Sequence, residues 1–222
     1  MNLKPYFLCS IVILISSQLC HAQHITTNLT HYIFPEFVDG TILERNGRKN
    51  HVTINYNSLS EEMVFQKGDS KFALGKTEME RVDTIFIEDK KFVNLDGQFV
   101  EVLYRSVKMV LYVQYKCKLR EPGKNVGYGG TSEVAAVDRY SSQFTGRNFY
   151  EIKLPKGYST TPLYVYYLMK NGIVSEALNL NQLSKLFENQ EDEFKDYVKT
   201  NKVKFDNIDK VTGLIEFLDN TN

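Results

Sequence analysis

Residues 107–120 read VKMVLYVQYKCKLR and carry the clearest periodicity in the chain. Every odd position from Val107 to Leu119 is apolar, and most even positions are polar. This alternation is typical of a β-strand that buries one face. At about 3.3 Å per residue the strand is unusually long, so we expect it to bend or to run between two packed sheets.

Shorter strands lie on both sides of this stretch, separated by turn residues. Asn46-Gly47, Asp96-Gly97 and Asn171-Gly172 favour hairpins, since Asn, Asp and Gly tolerate positive φ in tight turns. The alternating segments between such turns predict strands at 41–45, 51–56, 63–65, 71–74, 83–87, 92–93, 99–104, 149–154, 163–170 and 173–178. The chain is therefore strand-rich over most of its length.

The C-terminal part changes to helical periodicity. Three amphipathic groups of apolar residues occur there: Leu183, Leu186 and Phe187; Phe194, Tyr197 and Val198; Ile208, Val211, Leu214, Ile215 and Leu218. Asn181, Asn189 and Asp206 are candidate helix caps. We predict an α+β fold, mostly antiparallel β as a sandwich or strongly bent sheet, followed by three short helices over 181–219.

The N-terminus has the features of a signal peptide. Lys4 precedes a short apolar run, and Cys20 and Ala22 place small residues where signal peptidase requires them. The run is too short for a transmembrane anchor, which needs roughly 20 apolar residues. Bulky Leu19 disfavours lipidation at Cys20. We predict a signal peptide at 1–22, cleavage after Ala22, no transmembrane segment afterwards, and one domain at 23–222.

Cleavage leaves one cysteine, Cys117, so the exported domain has no internal disulfide. Cys117 is either a nucleophile or a small core side chain; its odd position in the long strand favours the core. Loss of Lys4 takes the 27 basic residues to 26 against 27 acidic ones, a net charge of −1. This balance gives no electrostatic reason to expect a nucleic acid partner.

Residues 122–146 form a Gly-rich segment that interrupts the strand pattern. Gly127-Tyr128-Gly129-Gly130 lacks the lysine of a phosphate-binding loop, so a nucleotide site is disfavoured. Long loops on a β scaffold often bind ligands. We therefore predict a long loop here, with Tyr128, Arg139 and Tyr140 as a candidate binding surface.

The sequence shows no catalytic, cofactor-binding or metal-binding motif. His24, His31 and His51 lack metal-ligand spacing, and no serine-hydrolase elbow is present. Glu61-Glu62 and residues 191–193 are adjacent acidic groups typical of solvated surfaces. We expect no enzyme, no cofactor and no metal, although folding could still bring distant carboxylates together.

Several short stretches resemble a pattern seen in small exported β-rich proteins of Bacteroidota. They are FPEFVDG at 34–40, NYN at 55–57, EEMVF at 61–65, YL-x-KNG at 167–172, and the helices around Leu186-Phe187 and Tyr197-Val198-Lys199. That group has no assigned activity. The resemblance implies a location in the periplasm or outside the cell, and it implies no mechanism.

Three functions follow as hypotheses. The first is a non-catalytic binding or assembly module of the cell envelope, whose partner is an envelope protein or a glycan. The alternative is an envelope or secreted hydrolase of polysaccharide or peptide, with carboxylates assembled by folding. A third is a structural protein of the envelope without a small ligand.

Overall fold

A computed structural model describes residues 31–120, 124–126, 130–132 and 158–221. The predicted signal peptide, the predicted strand at 149–154 and most of the Gly-rich segment lie outside these residues. Within that segment, where the sequence pattern predicts a loop, two three-residue strands, β9 (Lys124–Val126) and β10 (Gly130–Ser132), pair as an antiparallel hairpin.

The described part of the chain is mostly antiparallel β-sheet, as the periodicity predicts. The strands are β1 (Val38–Glu44), β2 (Lys49–Asn57), β3 (Glu62–Lys67), β4 (Ser70–Ala73), β5 (Val82–Ile87), β6 (Lys90–Leu95), β7 (Gln98–Arg105), β8 (Met109–Arg120), β11 (Ser159–Lys170) and β12 (Ile173–Ala177). The hairpin turns have the positive φ values expected of them, at Gly47, Asp96, Gly97, Asn171 and Gly172.

These ten strands form one sheet in the order β12-β11-β8-β7-β6-β5-β1-β2-β3-β4. Most neighbours are consecutive in sequence, so most pairings are local hairpins. Two pairings join more distant strands: β1 with β5, and β8 with β11. A two-sheet sandwich, one of the two predicted arrangements, is not confirmed, since the ten strands belong to one hydrogen-bonded sheet.

The sheet bends until β8 meets the end of β2. The pairing of β8 with β7 runs from Arg105 opposite Val110 to Glu101 opposite Val113. Beyond that point the backbone N–H of Cys117 donates a hydrogen bond to the carbonyl oxygen of Ser58 at 3.0 Å. Four strands separate β8 from β2 in the sheet order. Such a contact therefore requires strong curvature.

Side-chain contacts stabilise the same closure. Glu61, in the turn between β2 and β3, accepts a hydrogen bond from Gln114 Nε2 at 2.9 Å. The Glu61 carboxylate also lies 3.1 Å from the ammonium of Lys116. The turn after β2 is thus joined to β8 by two polar side-chain contacts and one backbone hydrogen bond.

The two faces of the sheet carry different clusters of apolar residues. The inner face, which we define by Ile54, Phe92 and Leu111, belongs to a large core that also contains residues of the C-terminal helices. A smaller cluster lies on the opposite, outer face and contains Val100, Val110 and Tyr112. Both faces of the central strands are therefore covered over part of their length.

This second cluster corrects the prediction for β8. The alternation predicts that the even positions of the strand face solvent, but Val110 and Tyr112 are buried among apolar side chains of β7 and β11. Gln114 is buried as well, where its amide donates to Glu61 and accepts a hydrogen bond from Tyr167. Val107 is fully exposed, and the strand begins at Met109. The alternation predicts the strand correctly, but it does not predict that both faces of the strand are buried.

Cys117 is half-buried and not part of the buried core. Burial nevertheless raises the pKa of its thiol, and nearby Glu61 raises it further, while a hydrogen bond with Ser58 acts in the opposite direction. A thiol with a raised pKa is a poor nucleophile at neutral pH.

The helices follow the predicted order with corrected boundaries. They are α1 (Lys76–Arg81), which the sequence did not predict, α2 (Leu180–Ser184), a 3-10 helix (Lys185–Gln190), α3 (Glu191–Asn201) and α4 (Ile208–Asn220). The caps are shifted from the predicted Asn181, Asn189 and Asp206. Asn179 and Asn207 accept the capping hydrogen bonds of α2 and α4, and Gln190 precedes α3 without one.

The last helix attaches to the sheet through its apolar face. Val211, Leu214, Ile215 and Leu218 are fully buried in the inner core, as their spacing predicts. Tyr104 of β7 donates a hydrogen bond to Asp219 Oδ2 at 2.9 Å. This contact connects the end of α4 to the sheet that it covers.

Candidate binding groove

A groove of about 890 Å³ crosses the outer face of β5, β1, β2 and β3. With about 4.8 Å between neighbouring strands, these four strands span about 14 Å. The groove lies on the side of the sheet away from the main core and opens to solvent.

Two rows of side chains run across these strands because of the strand register. In the first row His51 lies opposite Thr41, and Thr41 lies opposite Phe86. In the second row, two residues along, Gln66 lies opposite Thr53, and Thr53 lies opposite Asp39. Residues two apart on a strand share a face, so both rows point into the groove.

The depth of the groove follows from the sizes of these side chains. β1 and β2, in the middle, contribute the short side chains of Thr41 and Thr53 as a floor. The longer side chains of Phe86 on β5 and Gln66 on β3 form the two walls. Phe86 is 41% exposed, so its ring is accessible from the open side of the groove.

The polar groups of the groove are mostly neutral. Thr41 Oγ1 and His51 Nδ1 are hydrogen-bonded at 3.2 Å, which fixes the hydroxyl beside the Phe86 ring. Asp39, Lys67 and Glu88 add charges of both signs to the lining. A bound molecule would therefore meet one aromatic face, several neutral donors and acceptors, and no strong field of either sign.

The N-terminal segment is fixed across the same face next to the groove. Asn55, on the same face of β2 as Thr53, is completely buried. Its side chain accepts a hydrogen bond from the N–H of Phe34 at 3.2 Å and donates to the carbonyl oxygens of Phe34 at 2.9 Å and Glu36 at 2.8 Å. The side-chain amide of Asn55 therefore satisfies backbone hydrogen-bonding groups of Phe34 and Glu36, in the segment that covers this part of the sheet.

The most polar buried cluster lies on the inner face and involves Lys90, Glu101 and Tyr115. The Lys90 ammonium lies 3.1 and 3.2 Å from the two carboxylate oxygens of Glu101. The Tyr115 hydroxyl donates a hydrogen bond to the same carboxylate. Burial, with the adjacent Glu101 carboxylate, raises the pKa of Tyr115 well above its usual value. Each member already has its partner, so we assign this cluster a structural role.

The sequence did not predict the groove. The predicted surface residues Tyr128, Arg139 and Tyr140 lie outside the described residues. The structure therefore does not place them relative to the groove. Thr41, Thr53 and Phe86 are ordinary residues for strands. The signal that could have indicated a special surface is Gly40, a glycine within a strand, which often marks a close approach of backbone.

The described ranges bring together no group of three His, Cys, Asp or Glu side chains suited to a metal ion. Among the helices in residues 31–120 and 158–221, none is both long and apolar enough to cross a membrane. No protein-family model matches the sequence, and comparisons with curated proteins and with solved structures found no match either.

Proposed function

We propose that this protein is a non-catalytic binding module of the cell envelope and that its outer groove binds a glycan. The observation that carries the proposal is the exposed ring of Phe86 next to the hydroxyls of Thr41 and Thr53 on a solvent-open sheet face. Aromatic rings combined with a few fixed polar groups are common features of small-ligand sites.

The chemistry of a sugar ring fits this arrangement. One face of a pyranose presents C–H groups that can pack on an aromatic ring, and its edge presents hydroxyls that donate and accept hydrogen bonds. The amide of Gln66 offers both donors and an acceptor, as do the threonine hydroxyls. A groove of about 14 Å suits a short stretch of a linear chain.

The charges in the lining favour a glycan over a polyanion. Asp39 and Glu88 are acidic, and Lys67 is the basic residue of the lining. A nucleic acid or a densely phosphorylated polymer would require several basic side chains along the same path. A neutral or zwitterionic saccharide does not.

Export is part of the same proposal. The sequence pattern of residues 1–22 supports cleavage after Ala22 and release into the periplasm or outside the cell. Mass spectrometry of the protein purified from its own cells tests this step. A mature N-terminus at Gln23 is the expected result, and an intact Met1 would overturn it.

Titration of the purified protein with chito-oligosaccharides and with soluble peptidoglycan fragments tests the groove. We expect saturable binding by calorimetry, with amide shifts in β1, β2 and β5 by NMR. Phe86→Ala should weaken binding about tenfold, since an aromatic contact contributes about 1 kcal/mol or more. Phe217→Ala is the matched control, because Phe217 is 38% exposed on α4 and lies outside the groove lining.

Two results would contradict the proposal. Unchanged affinity of the Phe86→Ala variant would place any glycan site elsewhere, with Tyr128, Arg139 and Tyr140 as the next positions to replace. New reducing ends in the same incubations would favour the hydrolase alternative. Absence of glycan binding, together with reproducible co-purification of an envelope protein, would favour an assembly role with a protein partner.

A further inference from the structure

Two carboxylates lie side by side at one end of the groove. The strands β1 and β5 are antiparallel, with Gly40 opposite Ile87. One residue further in the same register, Asp39 comes beside Glu88, the residue that follows the end of β5. Both residues line the groove, and both are exposed to solvent. The groove therefore has an acidic end, formed by neighbouring strands.

This pair of like charges is unfavourable for the sheet itself. Residues that are directly opposite on antiparallel strands have Cβ atoms about 5 Å apart, and like charges at such positions destabilise the pairing. Among the residues that the structure describes, neither Asp39 nor Glu88 forms an ion pair with a basic side chain. A cation bound between the two carboxylates would remove their repulsion.

An aromatic ring and a hydroxyl adjoin the two carboxylates. Phe86 precedes Glu88 by two residues, and Thr41 follows Asp39 by two residues, so each pair shares a face of the sheet. Thr41 also lies opposite Phe86. The four positions therefore form a patch about 5 Å wide across the strands and about 7 Å long along them. Phe86 is 41% exposed, so its ring is accessible to a molecule bound at the carboxylates.

The nearby basic residues do not neutralise this patch. Lys67, the basic residue of the lining, is on β3, two strands from β1 and three from β5, or about 10 and 14 Å. Salt screens exposed charges over about 8 Å. Lys91 lies opposite Phe86 on β6, and Asp89 follows Glu88 in the turn. These two residues are outside the lining and carry opposite charges, so the patch remains negative.

We infer that the groove selects a saccharide that carries an ammonium group, and that Asp39, Glu88, Phe86 and Thr41 bind this group. The inference rests on the proposed glycan function. An ammonium group has three N–H donors, which match two carboxylates and a hydroxyl oxygen. Its positive charge also strengthens packing of the sugar on Phe86, since the face of an aromatic ring attracts cations. An N-acetylated sugar has no such charge.

The ammonium group can come from a de-N-acetylated amino sugar or from the amine of a peptidoglycan stem peptide. Two matched pairs of ligands distinguish these sources. The first pair is a chitosan tetrasaccharide and the corresponding N-acetylated chitin tetrasaccharide. The second pair is a muropeptide with a free stem-peptide amine and the same muropeptide after acetylation of that amine. Calorimetry at mildly acidic pH, where the amines are protonated, compares the two members of each pair.

We expect the charged member of at least one pair to bind about tenfold more tightly, since a cation–π contact and two exposed ion pairs together contribute about 1–2 kcal/mol. Added salt should reduce this preference. The double variant Asp39→Asn with Glu88→Gln should abolish it and leave the affinity for the uncharged member within about twofold. Asp196→Asn with Glu216→Gln is the matched control, because both acids are exposed on helices outside the lining.

The outcomes separate this inference from the glycan proposal. Equal affinities within both pairs would overturn the inference and leave the glycan proposal intact. A preference that persists in the Asp39→Asn, Glu88→Gln variant would overturn it as well. Absence of binding by all four ligands would overturn both. The comparison within the parent protein requires no variant, and removal of a like-charge pair should leave the circular dichroism spectrum of the double variant unchanged.

Discussion

The cluster of Lys90, Glu101 and Tyr115 should stabilise the bend of the sheet, and its removal gives a sharp test. The three residues come from the neighbouring strands β6, β7 and β8. Glu101 lies opposite Val113, the last residue of β8 that is paired with β7, and Tyr115 lies just beyond it. The cluster therefore connects the strands where β8 separates from β7 and turns towards β2.

Lys90→Met is the most informative single change. It leaves the Glu101 carboxylate, which is 7% exposed, with the Tyr115 hydroxyl as its remaining partner from this cluster. Removal of one partner from a fully buried ion pair costs about 3–5 kcal/mol. The Lys90 side chain is 29% exposed, so water can approach its position. We therefore expect a lower loss of unfolding free energy, about 2–3 kcal/mol.

Glu101→Gln should cost less than Lys90→Met. The amide oxygen can still accept the hydrogen bond of Tyr115, and the half-buried ammonium of Lys90 can turn towards water. We expect a loss of about 1–2 kcal/mol, the usual range for a hydrogen bond to a charged group. The double variant should lose at least about 1 kcal/mol less than the sum of the single losses, because the two residues interact directly.

Equilibrium urea unfolding, followed by circular dichroism and tyrosine fluorescence, measures these differences. Lys195→Met is the matched control, because Lys195 makes an exposed ion pair with Glu191 and its loss should have no measurable effect. Strictly additive losses for Lys90→Met and Glu101→Gln would refute the coupling. Single variants as stable as the parent would refute the structural role of the cluster.

Three further predictions concern local features. Gly40→Ala should cost about 1–3 kcal/mol, because a Cβ there would lie 2.9 Å from the carbonyl oxygen of Phe86; a urea midpoint equal to the parent would contradict this. Burial lowers the pKa of His31 below 6.5, so the unfolded chain is protonated first and stability should fall as pH drops below about 6.5; His31→Gln should flatten this dependence in urea titrations at several pH values. Asn207→Ala should cost about 1 kcal/mol through loss of the α4 cap, whereas Asp206→Ala should not, and equal thermal shifts would contradict the assignment.

The sequence predicts the hairpins of this fold because their determinants are local. Asn46-Gly47, Asp96-Gly97 and Asn171-Gly172 each supply a turn that needs positive φ, and the alternating residues on either side supply the strands. The C-terminal helices are similarly local, since the stripe from Val211 to Leu218 defines a buried face by its own spacing. The residues at the N-terminal caps of these helices differ from the predicted ones by one or two positions.

Features that depend on distant neighbours were not predictable in this way. Most even positions of β8 are polar or aromatic, which suggests solvent, yet Tyr112 is buried between β7 and β11 and Gln114 is buried beside Glu61 and Tyr167. The short helix α1 contributes no buried residue, so it leaves no apolar stripe in the sequence. Pattern alone could not decide between a sandwich and a bent sheet, because both require the same alternation along each strand.

The groove depends on one long-range pairing in the same way. Thr41 and Phe86 are 45 positions apart, and they become neighbours only because β1 pairs with β5. That pairing requires a close approach at Gly40, where any Cβ would meet both Ile54 and the Phe86 carbonyl. Gly40 does not have a positive φ, so its place inside a strand is explained by the close approach of Ile54 and the Phe86 carbonyl that it permits. The same contact brings the exposed ring of Phe86 beside the threonine floor, so the residue that allows the sheet to close here also creates the surface proposed to bind.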